Sequence, residues 1–154
     1  MGRGAHPTMF RGANKLTLDS KGRMVMPTRY RERLQERCGG KLVITVDKDQ
    51  CLLIYPMPDW EEIERKVMRL PSSNPRSRRL QRLMVGHATE LELDGHGRVL
   101  LPPNLREFGA LTRDAMLIGQ GLHFELWDEV RWNEYMASEE IATDLPAELE
   151  SLSL

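Results

Sequence analysis

Two ten-residue stretches of the chain resemble each other closely: "LDSKGRMVMP" at residues 18–27 and "LDGHGRVLLP" at residues 93–102. Each stretch contains an aspartate, a glycine three residues later and an arginine directly after that glycine. The similarity continues beyond both stretches, to the Arg-Glu pairs at residues 31–32 and 106–107. The sequence therefore contains an internal duplication, a two-copy unit of roughly fifty residues.

The sequence predicts the same first elements in both copies. A short strand meets a tight turn, because the glycine permits a positive φ and the aspartate accepts hydrogen bonds from backbone N–H groups of the turn. A second strand follows, at Met24–Met26 in the first copy and Val99–Leu101 in the second. Pro27 and Pro102 then end these strands, since proline cannot donate to a ladder and suits the first turn of a helix.

The rest of each copy predicts a short helix and a closing hairpin. The hairpins pair residues 42–46 with 52–55 in the first copy, and 116–118 with 123–127 in the second. Half-units of this size bury too little surface to fold alone. We therefore predict one α+β domain, in which the two copies pair about a pseudo-two-fold axis around a barrel-like β core.

The resulting domain organisation has five parts. A helical connector joins the two copies; Asn74 is suited to cap its second helix and Pro75 to begin it. A last helix is expected after Trp132, followed by an acidic tail. The predicted parts are a leader or tag at residues 1–8, repeat 1 at 13–60, the connector at 61–87, repeat 2 at 89–132, and the C-terminal helix and tail at 133–154.

Composition and charge narrow the class of protein. The 154 residues are 40% hydrophobic and 29% charged, as in an ordinary globular protein, and no apolar run is long enough to cross a bilayer. We expect a cytoplasmic protein, without a signal peptide. The net charge of −1 hides an uneven distribution: residues 65–82 hold seven basic and no acidic side chains, whereas residues 128–154 hold eight acidic side chains and one Arg. This asymmetry favours a polyanion-binding face, although solvated faces would also produce it.

Metal and catalytic motifs are missing from the sequence. The two cysteines are not in a CxxC arrangement, and the four histidines lack the spacing of a metal-ligand pair. No GxSxG, HExxH, Walker or GxGxxG pattern occurs. His96 in "DGHG" has Lys21 as its counterpart in "DSKG", so this histidine is not part of the shared design. We predict neither an enzyme, nor a cofactor, metal or small-molecule substrate.

The repeated Asp–Arg spacing allows two interpretations. Asp19 with Arg23, and Asp94 with Arg98, can form local ion pairs that hold each turn. Such exposed pairs contribute little stability, so they do not by themselves explain the same arginine in both copies. The five donors of a guanidinium suit phosphates and the O6/N7 edge of guanine, which favours contact with DNA.

Several stretches together resemble the MraZ family: the two D-x-x-x-R segments, "MFRGANKLTLDSKGRMVMPTRYRERL", "CLLIYPMPDWEEIE", "LMVGHATELELDGHGRVLLPPNLRE" and "FELWDEVRW". The resemblance runs from Met9 to about Trp132. It implies a duplicated AbrB-type swapped-hairpin fold and a bacterial transcriptional regulator of the cytoplasm and nucleoid. It further implies binding to short repeats in the promoter of the division and cell-wall gene cluster, which includes the protein's own gene, usually as a repressor and as a ring-like homo-oligomer.

By motif, the resemblance assigns DNA contact to Arg23 and Arg98 and makes Asp19 and Asp94 the paired acids. The turns are structured by these acids together with Gly22 and Gly97. Further candidate DNA contacts are Lys21, at the tip of the first turn, and Arg11 and Lys15, beside the first strand. The second turn departs from the first in having His96 at the tip, which makes it the less cationic of the two. An antitoxin-like or scaffold module that binds other proteins remains the alternative function.

Overall fold

A computed structural model of the chain describes residues 9–138 and, beyond them, Leu152. The leader predicted at residues 1–8, and the predicted tail from residue 139 onward apart from Leu152, lie outside the described residues. The elements of the described part are, in chain order, β1 (Phe10–Thr17), β2 (Arg23–Val25), α1 (Thr28–Cys38), β3 (Lys41–Val46), β4 (Leu52–Pro56), α2 (Met57–Met68), α3 (Pro75–Met84), β5 (Thr89–Glu92), β6 (Arg98–Leu100), α4 (Pro103–Phe108), β7 (Asp114–Gly121), β8 (Phe124–Asp128) and α5 (Glu129–Met136).

The order of the strands reflects the internal duplication. Six strands form one antiparallel sheet in the order β1-β7-β8-β4-β3-β5, and β2 pairs with β6 in a separate two-stranded ribbon. The first strand of each repeat thus pairs with the third strand of the other: β1 with β7, and β5 with β3. Exchanging every strand for its counterpart gives the same order read from the opposite edge. The predicted α+β class and the pairing of the two copies are confirmed, whereas closure of the sheet into a barrel stays a prediction.

Apolar residues cover both faces of the six-stranded sheet. On one face, alternate residues of β3 such as Leu42 and Ile44 join the buried side chains of α1, α4 and the ribbon in a first core. On the other face, Val43 packs in a second core with residues of α2, α3 and α5. The alternation follows from the pleat, because successive side chains of a strand point to opposite faces. The ribbon and α2 therefore pack on opposite faces of the sheet.

The ribbon is fixed to the sheet through Met24 and Val99, which are buried in the first core with exposed fractions of 0% and 3%. Each turn glycine also binds the chain that follows the other repeat's turn. The Met26 N–H donates to the Gly97 carbonyl at 2.8 Å, and the Leu101 N–H donates to the Gly22 carbonyl at 3.1 Å. Neither repeat can form this arrangement without the other.

The observed element bounds differ from the expected ones in a few places. The Asn74 cap is confirmed, because its side chain accepts from the Arg76 N–H at 2.8 Å. The ribbon strands begin and end one residue earlier than expected. The last helix begins at Glu129 and not after Trp132, because the Asp128 side chain caps it by accepting from the Arg131 N–H at 3.1 Å.

Candidate nucleic-acid interface

The first turn is organised by the carboxylate of Asp19. Its Oδ1 accepts hydrogen bonds from the backbone N–H groups of Lys21 and Arg23, both at 2.9 Å. The Gly22 N–H donates to the Asp19 carbonyl at 3.0 Å. At Gly22 the backbone has a φ of 83°, a region that side chains with a Cβ rarely enter. The aspartate and the glycine are therefore needed for the turn itself.

The second turn repeats the same contacts. Asp94 Oδ1 accepts from the N–H groups of His96 at 2.8 Å and Arg98 at 2.9 Å. The Gly97 N–H donates to the Asp94 carbonyl at 3.0 Å, and Gly97 has a φ of 74°. The two turns therefore make the same hydrogen bonds through the same atoms.

Both arginines of the repeated motif use one end of the guanidinium for the turn. Arg23 donates through Nε to Asp19 Oδ2 at 2.6 Å, and Arg98 donates through Nε to Asp94 Oδ2 at 2.9 Å. Their side chains remain 31% and 34% exposed. Within residues 9–138, no hydrogen bond occupies the Nη groups of either arginine. These groups are available to an acceptor outside the protein.

The carboxylates of the two pairs are held in their charged form. Hydrogen bonding from the Arg23 backbone N–H lowers the pKa of Asp19, and the guanidinium of Arg23 adds to this effect. The corresponding contacts from Arg98 and the His96 N–H lower the pKa of Asp94 to about 2. Both pairs are thus ionised at neutral pH, and each arginine is oriented by a fixed negative charge.

The register of the ribbon brings the two arginines onto one face. Arg23 lies opposite Leu100, and Val25 lies opposite Arg98. Since side chains alternate along a strand, these four residues point away from the core while the residue between them in each strand points into it. Arg23 and Arg98 are diagonal neighbours in this register, a relation that separates residues by about 7–8 Å. We call these four side chains the ribbon face.

The ribbon face is also partly apolar. Val25 is 44% exposed and Leu100 is 53% exposed, and each is the direct cross-strand partner of one of the two arginines. On such a surface the two guanidinium groups can contact phosphates and base edges, and the two aliphatic side chains can contact the methyl group of thymine.

A second pair of arginines supports the turns across the pseudo-two-fold axis. The side chain of Arg31, on α1, packs against Gly97, and that of Arg106, on α4, packs against Gly22. Arg31 Nε also donates to the Met26 carbonyl at 2.8 Å, whereas Arg106 Nε is buried without a partner among the described residues. Arg31 and Arg106 are not among the residues predicted from the sequence, although the Arg-Glu pair that occurs at the same offset in both copies indicates a shared role.

The remaining residues that were predicted to contact DNA differ in their position in the fold and in their exposure. Lys21 and its counterpart His96 are exposed at the tips of the turns. Lys15 is 65% exposed and forms an ion pair with Glu129 at 3.4 Å. Arg11 is exposed near the start of β1, eight residues before Asp19, which corresponds to about 26 Å along an extended strand. Lys21 therefore lies in the same turn as Asp19 and Arg23, whereas Arg11 and Lys15 lie on β1, before that turn.

No group of three or more potential metal ligands occurs within the described residues. Burial raises the pKa of the Cys51 thiol, so this cysteine is not an activated nucleophile. None of the helices described here has the length and apolar character needed to cross a bilayer.

Taken together, the fold and the site define a class: duplicated swapped-hairpin proteins with an Asp–Arg turn in each half. Comparison with known proteins gives the family. The sequence model of the MraZ protein matches the chain twice, over residues 9–83 and 84–150. The chain belongs to the MraZ family.

Individual relatives agree with this assignment over nearly the whole chain. The transcriptional regulator MraZ of Thioalkalivibrio sulfidiphilus is 57% identical over 150 residues, which cover 95% of this chain and 100% of the relative. The proteins of the same name from Halorhodospira halophila and Pseudomonas aeruginosa are each 53% identical over 152 residues, again with 95% and 100% coverage.

Proposed function

We propose that the chain is a DNA-binding transcriptional regulator that represses the bacterial division and cell-wall gene cluster, including its own promoter. It acts in the cytoplasm in association with the nucleoid, without catalysis and without a cofactor. The observation that carries this proposal is the ribbon face, on which two oriented arginines are diagonal neighbours whose Nη groups have no hydrogen bond within the described residues. The names of the relatives, which are transcriptional regulators, support it independently.

The dimensions of the ribbon suit the major groove. Paired strands lie about 4.8 Å apart, and the major groove of B-DNA, about 12 Å wide, admits a two-stranded β-ribbon. Entry of the ribbon face would bring Arg23 and Arg98 to base edges or phosphates, with Val25 and Leu100 beside them. Asp19 and Asp94 orient the arginines and also accept hydrogen bonds from the backbone of the turns.

Flanking cations add phosphate contacts of graded strength. We assign Lys21 to the phosphate next to the first turn, because it is exposed at the tip. Arg11 and Lys15 are assigned weaker contacts, because they lie on β1 and not in the ribbon, and because Lys15 is already paired with Glu129. His96 makes the second turn the weaker of the two.

Oligomerisation supplies the affinity that one chain lacks. A protein that neutralises few phosphates binds weakly at physiological salt. Copies of this chain arranged in a ring would place several ribbon faces along a row of promoter repeats and gain affinity through a raised effective concentration. The proposed form is therefore a ring-like homo-oligomer on repeated sites in double-stranded DNA.

The test is a titration of fluorescent promoter DNA with the variants Arg23→Ala and Arg98→Ala. Loss of one arginine contact to a base edge is expected to weaken binding by about 1–3 kcal/mol, or roughly five- to 150-fold. Circular dichroism and thermal unfolding verify that each variant is folded.

The matched control is Lys66→Ala. It removes one exposed cation from α2, which packs on the opposite face of the sheet from the ribbon. Its affinity is expected to stay within about two-fold of the unaltered chain. Equal losses in all three variants would mean that overall charge, and not the ribbon face, decides binding.

A second candidate is supported by the apolar part of the ribbon face. Val25 and Leu100 are exposed to a degree that also suits a protein partner in an antitoxin-like or scaffold module. The dependence of DNA affinity on salt separates the two functions. Binding to phosphates gives a linear fall of log affinity with log salt concentration, whereas a scaffold without a DNA site gives no such slope.

A further inference from the structure

An open pocket with a cavity volume of about 410 Å³ lies between α3, the turn from β3 to β4, and the end of α4. Its apolar lining consists of Leu80, Leu83 and Phe108, each only half-buried. Leu80 belongs to neither of the two cores of the described residues. Covering these side chains with another apolar group would be favourable, because it removes apolar surface from water.

The rest of the lining is cationic. Lys48, Arg76 and Arg79 border the pocket, and the described residues contain no ion pair to any of them. Asp47 and Asp49 flank Lys48 in sequence but do not line the pocket. The pocket, which we call the α3 pocket, therefore fits a segment that combines acidic and apolar side chains.

The same chain contains such a segment at residues 139–154, "EEIATDLPAELESLSL". It has five acidic residues and no Lys or Arg. Ile141, Leu145 and Leu149 recur every four residues, so that acidic and apolar side chains alternate along it. Leu152, in the same segment, is exposed, so the apolar residues that we consider for a contact are Ile141, Leu145 and Leu149.

The start of this segment lies close to the α3 pocket. Arg131, in α5, donates a hydrogen bond to the side chain of Gln50, which lines the pocket. From there α5 continues for five residues to Met136, about 8 Å, and the continuous described part ends at Ser138. The following sixteen residues can extend up to about 50 Å, so reach does not limit contact. Attachment to the same chain also gives the segment a high effective concentration at the pocket.

We propose that residues 139–154 dock in the α3 pocket of their own chain. The apolar side chains of the segment cover Leu80, Leu83 and Phe108, and its carboxylates neutralise Lys48, Arg76 and Arg79. One consequence is that these cations are not available to attract nucleic acid away from the ribbon face. The proposal does not depend on the function of that face.

The test replaces Leu80 by the photoreactive amino acid p-benzoylphenylalanine in the full chain. Irradiation is expected to link this position to residues 139–154, as mapped by mass spectrometry of peptides. The product is expected to run as a single chain on a denaturing gel. A thermal unfolding curve like that of the unaltered chain verifies the fold of the variant.

Charge reversal on α3 gives the matched comparison. Arg79→Glu, in the pocket, is expected to lower the yield of the link roughly two- to five-fold. Arg82→Glu changes the same residue type on the same helix but does not line the pocket, and its yield is expected to be unchanged. Links to other residues, a product with the mass of two chains, or equal yields in both variants would each overturn the proposal.

Amide hydrogen exchange tests the same contact without the photoreactive residue. Exchange in residues 139–154 is expected to be slower in the unaltered chain and in Arg82→Glu than in Arg79→Glu. The same rate in all three proteins would contradict docking.

Discussion

At the scale of single residues, each arginine of the ribbon face uses the two ends of its guanidinium group differently. The Nε of Arg23 and of Arg98 binds the carboxylate of its own turn, and within the described residues no hydrogen bond occupies the Nη groups. The ion pair therefore orients the arginine and leaves the Nη groups for the DNA contact that we propose. Lysine could not replace arginine here, since a single ammonium lacks the planar fork.

The turn glycines give a first prediction on stability. Gly22→Ala and Gly97→Ala are expected to lower the free energy of unfolding by about 1–3 kcal/mol, because alanine is strained at a φ of 83° or 74°. The added Cβ would also displace the side chain of Arg106 or Arg31. Urea denaturation measures the effect.

Gly95→Ala is the control from the same turn as Gly97. A Cβ at Gly95 meets nothing within 4 Å, and its φ lies outside the positive region. Its free energy of unfolding is expected to change little or to rise by about 0.4–1 kcal/mol, because alanine restricts the unfolded chain. If Gly95→Ala destabilised as much as Gly97→Ala, backbone conformation would not be the cause.

The acids of the turns give a prediction on pH. The folded state lowers the pKa of Asp94 from 3.8 to about 2, so the ionised carboxylate stabilises the fold above about pH 4 and this contribution is lost as the pH falls toward 2. The difference in unfolding temperature between the unaltered chain and Asp94→Asn is therefore expected to shrink over this interval. A difference that stays constant down to pH 2 would contradict the assignment.

At the scale of elements, the ribbon is stabilised by contacts that cross from one repeat to the other. The turn glycines accept hydrogen bonds from the opposite repeat, and Arg31 and Arg106 pack over them. The two halves are nearly equivalent, but among the described residues Arg31 Nε has a hydrogen-bond acceptor and Arg106 Nε has none. This asymmetry separates the structural roles of two otherwise matched side chains.

Substitution by methionine tests that asymmetry. Arg31→Met is expected to cost about 1–3 kcal/mol in the free energy of unfolding, because the Met26 carbonyl loses its donor. Arg106→Met is expected to be nearly neutral, because it removes a buried donor that has no partner. Equal effects in urea denaturation would show that the hydrogen bond is unimportant.

The elements themselves were largely predictable, because their signals are local. The Asp–Gly turns, the strand-ending prolines and the Asn74 cap each act within a few residues, and the structure contains all three. The predicted start of the last helix was wrong, because the side chain of Asp128 caps the helix and lets it begin at Glu129. The Arg31–Gly97 contact could not be read from local pattern, since it joins different repeats and depends on the exchange of strands.

At the scale of the whole molecule, duplication produces one surface from two half-sites. Each repeat supplies one strand of the ribbon, one arginine and one exposed aliphatic side chain. A single chain therefore corresponds to a fused symmetric dimer, which suits a DNA duplex whose two strands are also related by two-fold symmetry. The sequence predicted this duplication, but only the pairing of β2 with β6 put both arginines on one face.

The proposed ring gives a prediction on promoter geometry. Inserting about five base pairs between two promoter repeats turns one repeat to the opposite side of the duplex, whereas about ten base pairs restore its direction. Affinity in a gel-shift titration is expected to fall by about 100-fold or more with the shorter insertion and to recover in part with the longer one. Affinity independent of spacing would argue against simultaneous binding by linked subunits.

The most direct measurement is a structure of the protein bound to its promoter DNA. The Nη atoms of Arg23 and Arg98 are expected within about 2.7–3.2 Å of phosphate oxygens or base-edge acceptors. The ribbon is expected to lie in the major groove. A complex in which the DNA lies elsewhere, with the ribbon face turned to solvent or to a neighbouring subunit, would contradict it.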